Sequence, residues 1–191
     1  MSLTTATEES LLQRNQTEKE TEKITFSILS GFGDPRDWVE GFQEAGFDFV
    51  AIADKNTQGG TIPFQEFCKE KGVKFAIGEQ FDVFSSVAEE DKGASEYSGS
   101  ISLYAKNWNG YQNIIKINNF AHRKLKEGGG FYFNPRIDMN ILFKYSDDVV
   151  CFIPNIDGFP FASYKDGISN SYRNDPLIGH MKRVFGDRLF V

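Results

Sequence analysis

Cysteine and histidine are scarce in this chain, two of each in 191 residues. Cys68 falls on a helical pattern and Cys151 inside an apolar strand. The pair therefore reads as buried thiols of a reducing compartment and excludes a disulfide framework. His122 and His180 lie on helical stretches among polar neighbours, where surface or capping roles are the ordinary reading of an isolated histidine. Long apolar runs are missing as well. Nothing approaches the roughly 18 residues of a membrane span, and Met1–Lys23 has no signal-peptide core, so a cytoplasmic protein with no membrane contact is expected. A basic excess is also lacking. Lys and Arg number 21 against 27 Asp and Glu, a net charge of −6, which disfavours non-specific attraction to phosphate backbones. Direct DNA binding by this chain is not expected.

The remaining composition suits one domain with a sizeable core. Met1–Lys23, dominated by Thr, Glu, Gln and Lys, reads as a mobile tail, because Leu11-Leu12 alone cannot offset the entropy of ordering it. The domain then runs from Ile24 to Val191. Its organising stretch is Phe47–Val83, where apolar runs at Phe47–Ala53 and Val73–Ile77 flank a helix from about Ile62 to Lys71 that stops at Gly72. This is a βαβ unit with parallel strands. Chemistry in such units gathers at strand ends, here Asp54-Lys55-Asn56 and Gly78-Glu79-Gln80.

Other elements follow from local signals. Ile24–Leu29 reads as a first strand covered on both faces. Asp34-Pro35 caps a helix over Pro35–Ala45 whose Trp38, Val39, Phe42 and Ala45 share a face. Phe81–Val83 and Ile101–Ala105 are strands bounding an irregular excursion, Phe84–Gly99. Its Glu89, Glu90, Asp91 and Glu96 read as a hydrated charged loop and not as metal ligands. Asn109 caps a third helix with Tyr111, Ile114, Ile115 and Asn118 on one face, and Gly128-Gly129-Gly130 ends it. No Lys-Ser/Thr follows the triple glycine, so it is a helix stop and not a phosphate loop. Asp138 caps a short helix to about Lys144, Val149–Ile153 is a strand, and Asp175-Pro176 opens a last helix with Leu177, Ile178, Met181, Val184 and Phe185 inward. Leu189–Val191 begins a strand in which the chain stops, as part of a longer polypeptide would. Alternating strands and helices imply an α/β fold with a largely parallel sheet, either a barrel or an open sheet. Ile24–Leu29, Phe47–Ala53, Val73–Ile77 and Val149–Ile153 are expected to be parallel neighbours, with Trp38, Phe42, Phe64 and Phe67 packed on their outer face.

Several blocks in order, AGFDFVAIADKN, GVKFAIGEQFDV, LYAKNWNGYQNIIKI, GFYFNPRID and VFGDRLFV, carry a resemblance to a known family. They resemble the N-terminal polymerase-and-histidinol-phosphatase (PHP) domain of the alpha subunit of bacterial DNA polymerase III, the C-family replicative polymerase. The resemblance spans Ile24 to Val191, with gaps near Phe84–Gly99 and Ile156–Asn174. The runs Ala105–Ile115 and Phe131–Asp138 are its most specific parts, because secondary structure alone does not explain them. It implies a distorted (β/α)7 barrel, incomplete at the C-terminus of this chain.

Active members hold divalent metals, Zn or Mn, with a His-x-His pair, an Asp-His pair, a Glu and further His, Cys or Asp. Imidazole and carboxylate together position hydrolytic metals whose bridging water attacks a phosphodiester. Aligned here, those positions are Ser27 and Leu29, Asp54 and Lys55, Gln80 beside a differently directed Glu79, Tyr145, and Asn155 after Pro154. Only Asp54 is retained, and a lone Asp at a strand end is more often a loop cap. Lys55 brings an ammonium that pairs with Asp54 in the simplest arrangement. The resemblance therefore implies a module with no catalytic residue and no metal, in a parent that is a DNA-directed DNA polymerase. Its partners are the remainder of the polymerase chain and a proofreading exonuclease subunit. The alternatives are a metal-dependent phosphoesterase or 3'-5' exonuclease using other ligands, and a free-standing relic that binds a partner. Arg136, in the FY-x-x-PRID run, either pins the loop after Gly130 through an acidic partner or faces substrate phosphate, the structural role being the simpler.

Overall fold

The computed structural model describes residues 34–84, 86–87, 97–154 and 176–190. The tail Met1–Lys23, the strand Ile24–Leu29 with Ser27 and Leu29, the acidic excursion from Glu89 to Glu96, Asn155 and the Asp175 cap lie outside these residues.

Helix α1, Pro35–Glu44, begins as its sequence requires, with the Asp34 carboxylate accepting the Arg36 N–H at 2.9 Å and proline in the first turn. Its buried contact is Val39, in a small core with Val50, Phe64, Phe67, Cys68 and Val73. Phe64 and Phe67 are covered as expected, but Trp38 remains 56% and Phe42 42% exposed. The helix rests on its neighbour α2 through the narrow Val39 line, so the broader aromatic stripe turns aside. There Trp38 stacks on Phe42, which meets Phe47 edge to face.

Strand β1, Phe49–Lys55, and strand β2, Lys74–Phe84, pair in parallel around helix α2, Thr61–Lys71, which ends at Gly72 with φ +68°. The βαβ unit is thus present. Strand β2 does not end near Ile77, however. It runs unbroken through Gly78-Glu79-Gln80, because strand β3, Tyr97–Ala105, pairs antiparallel with its second half from Gly78↔Tyr104 to Phe84↔Tyr97. Gly78 belongs there for steric reasons, since a Cβ would collide with the Leu103 carbonyl and the Tyr104 ring.

Strand β4, Val149–Phe152, pairs antiparallel with β3 and parallel with β5, Leu189–Phe190. The order is β1-β2-β3-β4-β5, a mixed five-stranded sheet with β1 and β5 as its ends among the described residues. The expected neighbourhood of Val73–Ile77 and Val149–Ile153 is corrected, because β3 lies between them, antiparallel to both. The strict alternation of Ser100, Ile101, Ser102, Leu103 and Tyr104 is the pattern of an antiparallel strand with unlike faces, and a parallel strand covered by helices would read apolar throughout.

Helix α3, Trp108–His122, crosses one face of the sheet. Its cap is Asn107, whose side chain accepts the Gly110 N–H at 3.0 Å, and not Asn109, which sits inside the helix and donates to Asp148 Oδ2 at 2.8 Å. Asn107 wins because its backbone is extended, as a cap must be, and because Gly110 then lies against the Asp148 carbonyl, where no Cβ fits. The buried stripe is accordingly Gly110, Asn113, Ile114, Ile117 and Ala121, so Ile114 alone of the expected set is fully covered. The helix stops at His122, ahead of the triple glycine, and a short 3-10 turn, Leu125–Glu127, intervenes. Gly128 closes that turn at φ +77°, and Gly130 is pressed against the Arg136 carbonyl, so this loop is shaped by packing. Helix α4, Met139–Lys144, is capped by Asp138 through the Ile141 N–H at 3.1 Å. Helix α5 is Pro176–Phe185. The main core joins Phe81, Val83, Ile101, Leu103, Val149 and Cys151 from the sheet to Ile114, Ile117, Leu142, Met181 and Phe185 from the helices.

Candidate functional site at the ends of β1 and the middle of β2

Successive strand residues face opposite sides, and the register Asp54↔Glu79 and Lys55↔Gln80 divides the candidate residues between the two faces. Asp54 and Glu79 lie on the helix-covered side. Lys55, Gln80 and Asp82 lie on the other. Asp54 is thereby separated from Lys55 and Gln80, its neighbours along and across the strands.

On the helix side, Glu79 is fully buried, a placement the sequence reading did not foresee. Both its oxygens are satisfied by neutral amides. Gln58 Nε2, from the loop after β1, donates to Oε2 at 2.6 Å, and Asn118 Nδ2 of α3 donates a short bond to Oε1. Thr61 Oγ1 in turn donates to Gln58 Oε1 at 2.9 Å. Burial lifts the Glu79 carboxyl to about 7, against the two amide bonds that favour its ionised form, and Asp54 next to it raises it further. Asp54 is itself raised by burial, while the Gly60 N–H that it accepts pulls the other way. That bond makes Asp54 a cap of the β1–α2 loop. Its signal was readable, an Asp at a strand end before a Gly-Gly turn. Glu79 gave no such signal, because its partners lie 21 and 39 residues away.

On the open side, Lys55 Nζ lies 3.0 Å from Asp82 Oδ1, so the expected pairing with Asp54 does not form. Adjacent strand side chains cannot meet across the sheet. Gln80 Nε2 donates to Ser100 Oγ at 3.1 Å, and Asn56, in the left-handed region at φ +53°, donates Nδ2 to Asp82 Oδ2 at 3.4 Å. A strip of rings, Tyr104, Phe152 and Phe190, continues this face towards β5.

The other candidates are dispersed. Tyr145 packs against the helix-side core, its ring beneath the Lys116 and Lys144 ammonium groups at 5.6 and 5.2 Å. Arg136 is buried. Its Nε donates to the Gly130 carbonyl at 3.0 Å, and its guanidinium lies over Phe84 and Tyr132 at 5.5 and 5.4 Å. It pins the glycine loop through a carbonyl and two ring faces. Burial lowers its pKa, opposed by Tyr132. His122 is exposed and lies 3.1 Å from the Asn118 carbonyl, and His180 stacks on Phe143. Cys68 and Cys151 are buried free thiols, the second pushed up to about 12 by burial. Among the described residues no three His, Cys, Asp or Glu side chains gather into a metal-binding cluster, and no helix is long and apolar enough to cross a membrane.

A βαβ unit extended into a mixed sheet, with a charged and polar face where β1 ends, defines the class to which this chain belongs. It is a member of the PHP domain family, whose model matches residues 23–191. More particularly, the domain is homologous to the N-terminal region of DNA polymerase III alpha subunits. It is 27% identical over 174 residues to that subunit of Aquifex aeolicus and 30% identical over 170 residues to that of Borreliella burgdorferi, each match covering 87% of this chain and 14% of the relative. The Campylobacter jejuni subunit is 30% identical over 126 residues, 66% of this chain and 10% of the relative. The chain thus spans about one seventh of the length of the first two relatives.

Proposed function

We propose that this chain is the PHP module of a replicative DNA polymerase resembling DNA polymerase III alpha, and that the module is non-catalytic. In this reading residues 24–191 form the domain and Met1–Lys23 a tail, the described sheet belongs to a distorted (β/α)7 barrel, and the protein is cytoplasmic. Its work is to support the polymerase portion of the chain and to dock a proofreading exonuclease, without binding DNA itself.

The observation that carries the reading is the donor chemistry of the Lys55–Gln80–Asp82 face. A hydrolytic metal centre needs several anionic or imidazole donors converging on one point. Here one position carries an ammonium and another a neutral amide, and the carboxylate of Asp82 is engaged by that ammonium. Asp54 faces the helix side and caps a loop. By sequence, Ser27 and Leu29 bring no imidazole. These residues do not fit the family's metals, and no hydrolytic step is derived through them.

The test is metal analysis and thermal unfolding of the purified chain, with a nuclease assay in parallel. A genuine site held at 100 times its dissociation constant would add about 2.7 kcal/mol and raise Tm by about 5–10 °C. The expected outcome with Zn²⁺ or Mn²⁺ is no such rise and well under one equivalent bound. A stoichiometric metal, or nuclease activity lost with chelator and with Asp54→Ala, would instead establish the metal-dependent phosphoesterase reading.

A further inference from the structure

We propose that Lys55 is a built-in structural cation, whose ammonium compensates the Asp82 carboxylate on the open face of the sheet and keeps a divalent ion from taking that place. The inference rests on the metal-free reading above and deepens it. Three observations converge. The register sets Lys55 beside Gln80 and on the same face as Asp82, so the ammonium lies on the open face with the other substituted position of that face. Asp82 is largely covered, its side chain 14% exposed, and a carboxylate in such a place needs a counter-charge.

The third observation is a pair of oxygens, Asn56 Oδ1 and Asp82 Oδ1. Both are buried, and apart from Lys55 neither meets a hydrogen-bond donor among the described residues. The Lys55 ammonium, 3.0 Å from Asp82 Oδ1, is what meets the second of them. A buried carboxylate oxygen that no neutral donor meets is what a hard cation seeks, and for Asp82 Oδ1 that cation is covalently part of the chain. The other amides and hydroxyl of this face, Gln80, Ser100 and Asn56 Nδ2, are neutral and cannot balance Asp82. An ammonium tethered to β1 is present at an effective concentration that no dilute ion matches, so it outcompetes metal at the cost of any Lewis acidity.

The experiment compares thermal unfolding of the full chain with Lys55→Met, Asp82→Asn and the double variant, each with and without Mn²⁺. Methionine keeps the apolar stem and removes the charge. Lys55→Met is expected to lower Tm by about 2–8 °C, and adding Asp82→Asn is expected to recover most of that loss. Mn²⁺ is expected to raise the Tm of Lys55→Met while leaving the original chain unchanged. A Lys55→Met Tm within about 1 °C of the original, or no recovery in the double variant, would overturn the compensating role. No Mn²⁺ response in Lys55→Met would overturn the exclusion of metal. A Mn²⁺ response in the original chain would defeat the metal-free reading itself, a separate failure.

Discussion

The two faces of the sheet handle charge in different ways. The helix-covered face is an apolar layer, with Phe81, Val83, Ile101 and Leu103 fully buried; beside it Glu79 is held by two neutral amides and Asp54 by the β1–α2 loop. The open face carries Lys55, Gln80, Asp82, Ser100 and an aromatic strip, with Phe152 41% exposed. What the contrast teaches is how each face deals with charge. The helix-covered face accepts a carboxyl by letting its pKa rise, whereas the other face sets a cation, Lys55, against the Asp82 carboxylate.

The sharpest way to break this comparison is to truncate one side chain of β3 on each face. Leu103→Ala should cost about 2–5 kcal/mol in denaturant unfolding, as its surroundings are close-packed, whereas Ser100→Ala on the same strand should cost about 1 kcal/mol or less. Equal losses would mean that the open face is as tightly covered as the other.

Next in size is the effect of Glu79. Its folded pKa, about 7, is above the ordinary 4.5, so the folded state binds the extra proton between those values. The Glu79 contribution to stability is therefore most favourable below pH 4.5, falls as pH rises through the interval, and carries its whole penalty above about pH 7, on the order of 3 kcal/mol. The half-buried Asp54, also raised, adds a fall of the same sign. Glu79→Gln should flatten much of that slope in unfolding measured from pH 5 to 8. Glu79→Leu should be the more harmful change by about 1–3 kcal/mol, because it strands the Gln58 and Asn118 donors. An unchanged slope in Glu79→Gln would show that Glu79 does not titrate in this range.

Arg136→Ala should lower stability by about 1–3 kcal/mol, through loss of the Gly130 carbonyl bond and of the packing on Phe84 and Tyr132. Hydrogen exchange should then rise first in the 128–136 loop. A uniform rise across the domain would argue that the arginine serves the core and not the loop. The smallest effect belongs to a helix start: Asp138→Ala removes the bond to the Ile141 N–H and should cost about 1 kcal/mol.

Such short-range features are the ones that local chemistry determined. The caps at Asp34 and Asp138, the proline after Asp34, the glycine stop at Gly72 and the βαβ unit each depend on contacts within a turn or on a period of two or 3.6 residues. The family resemblance was legible because its blocks are contiguous in sequence, even where they run from one element into the next, as Leu103–Ile117 does from β3 into α3. Tertiary structure alone decided that β2 continues past Gly78, that β3 enters antiparallel between β2 and β4, and that Asn107 and not Asn109 caps α3. It also decided that Lys55 meets Asp82 while Asp54 turns to the loop and Glu79 to Gln58 and Asn118. The physical reason is register. A side chain on a strand is committed to one face by its neighbours across the sheet, and those neighbours come from segments 20 to 40 residues away, beyond the reach of any local pattern.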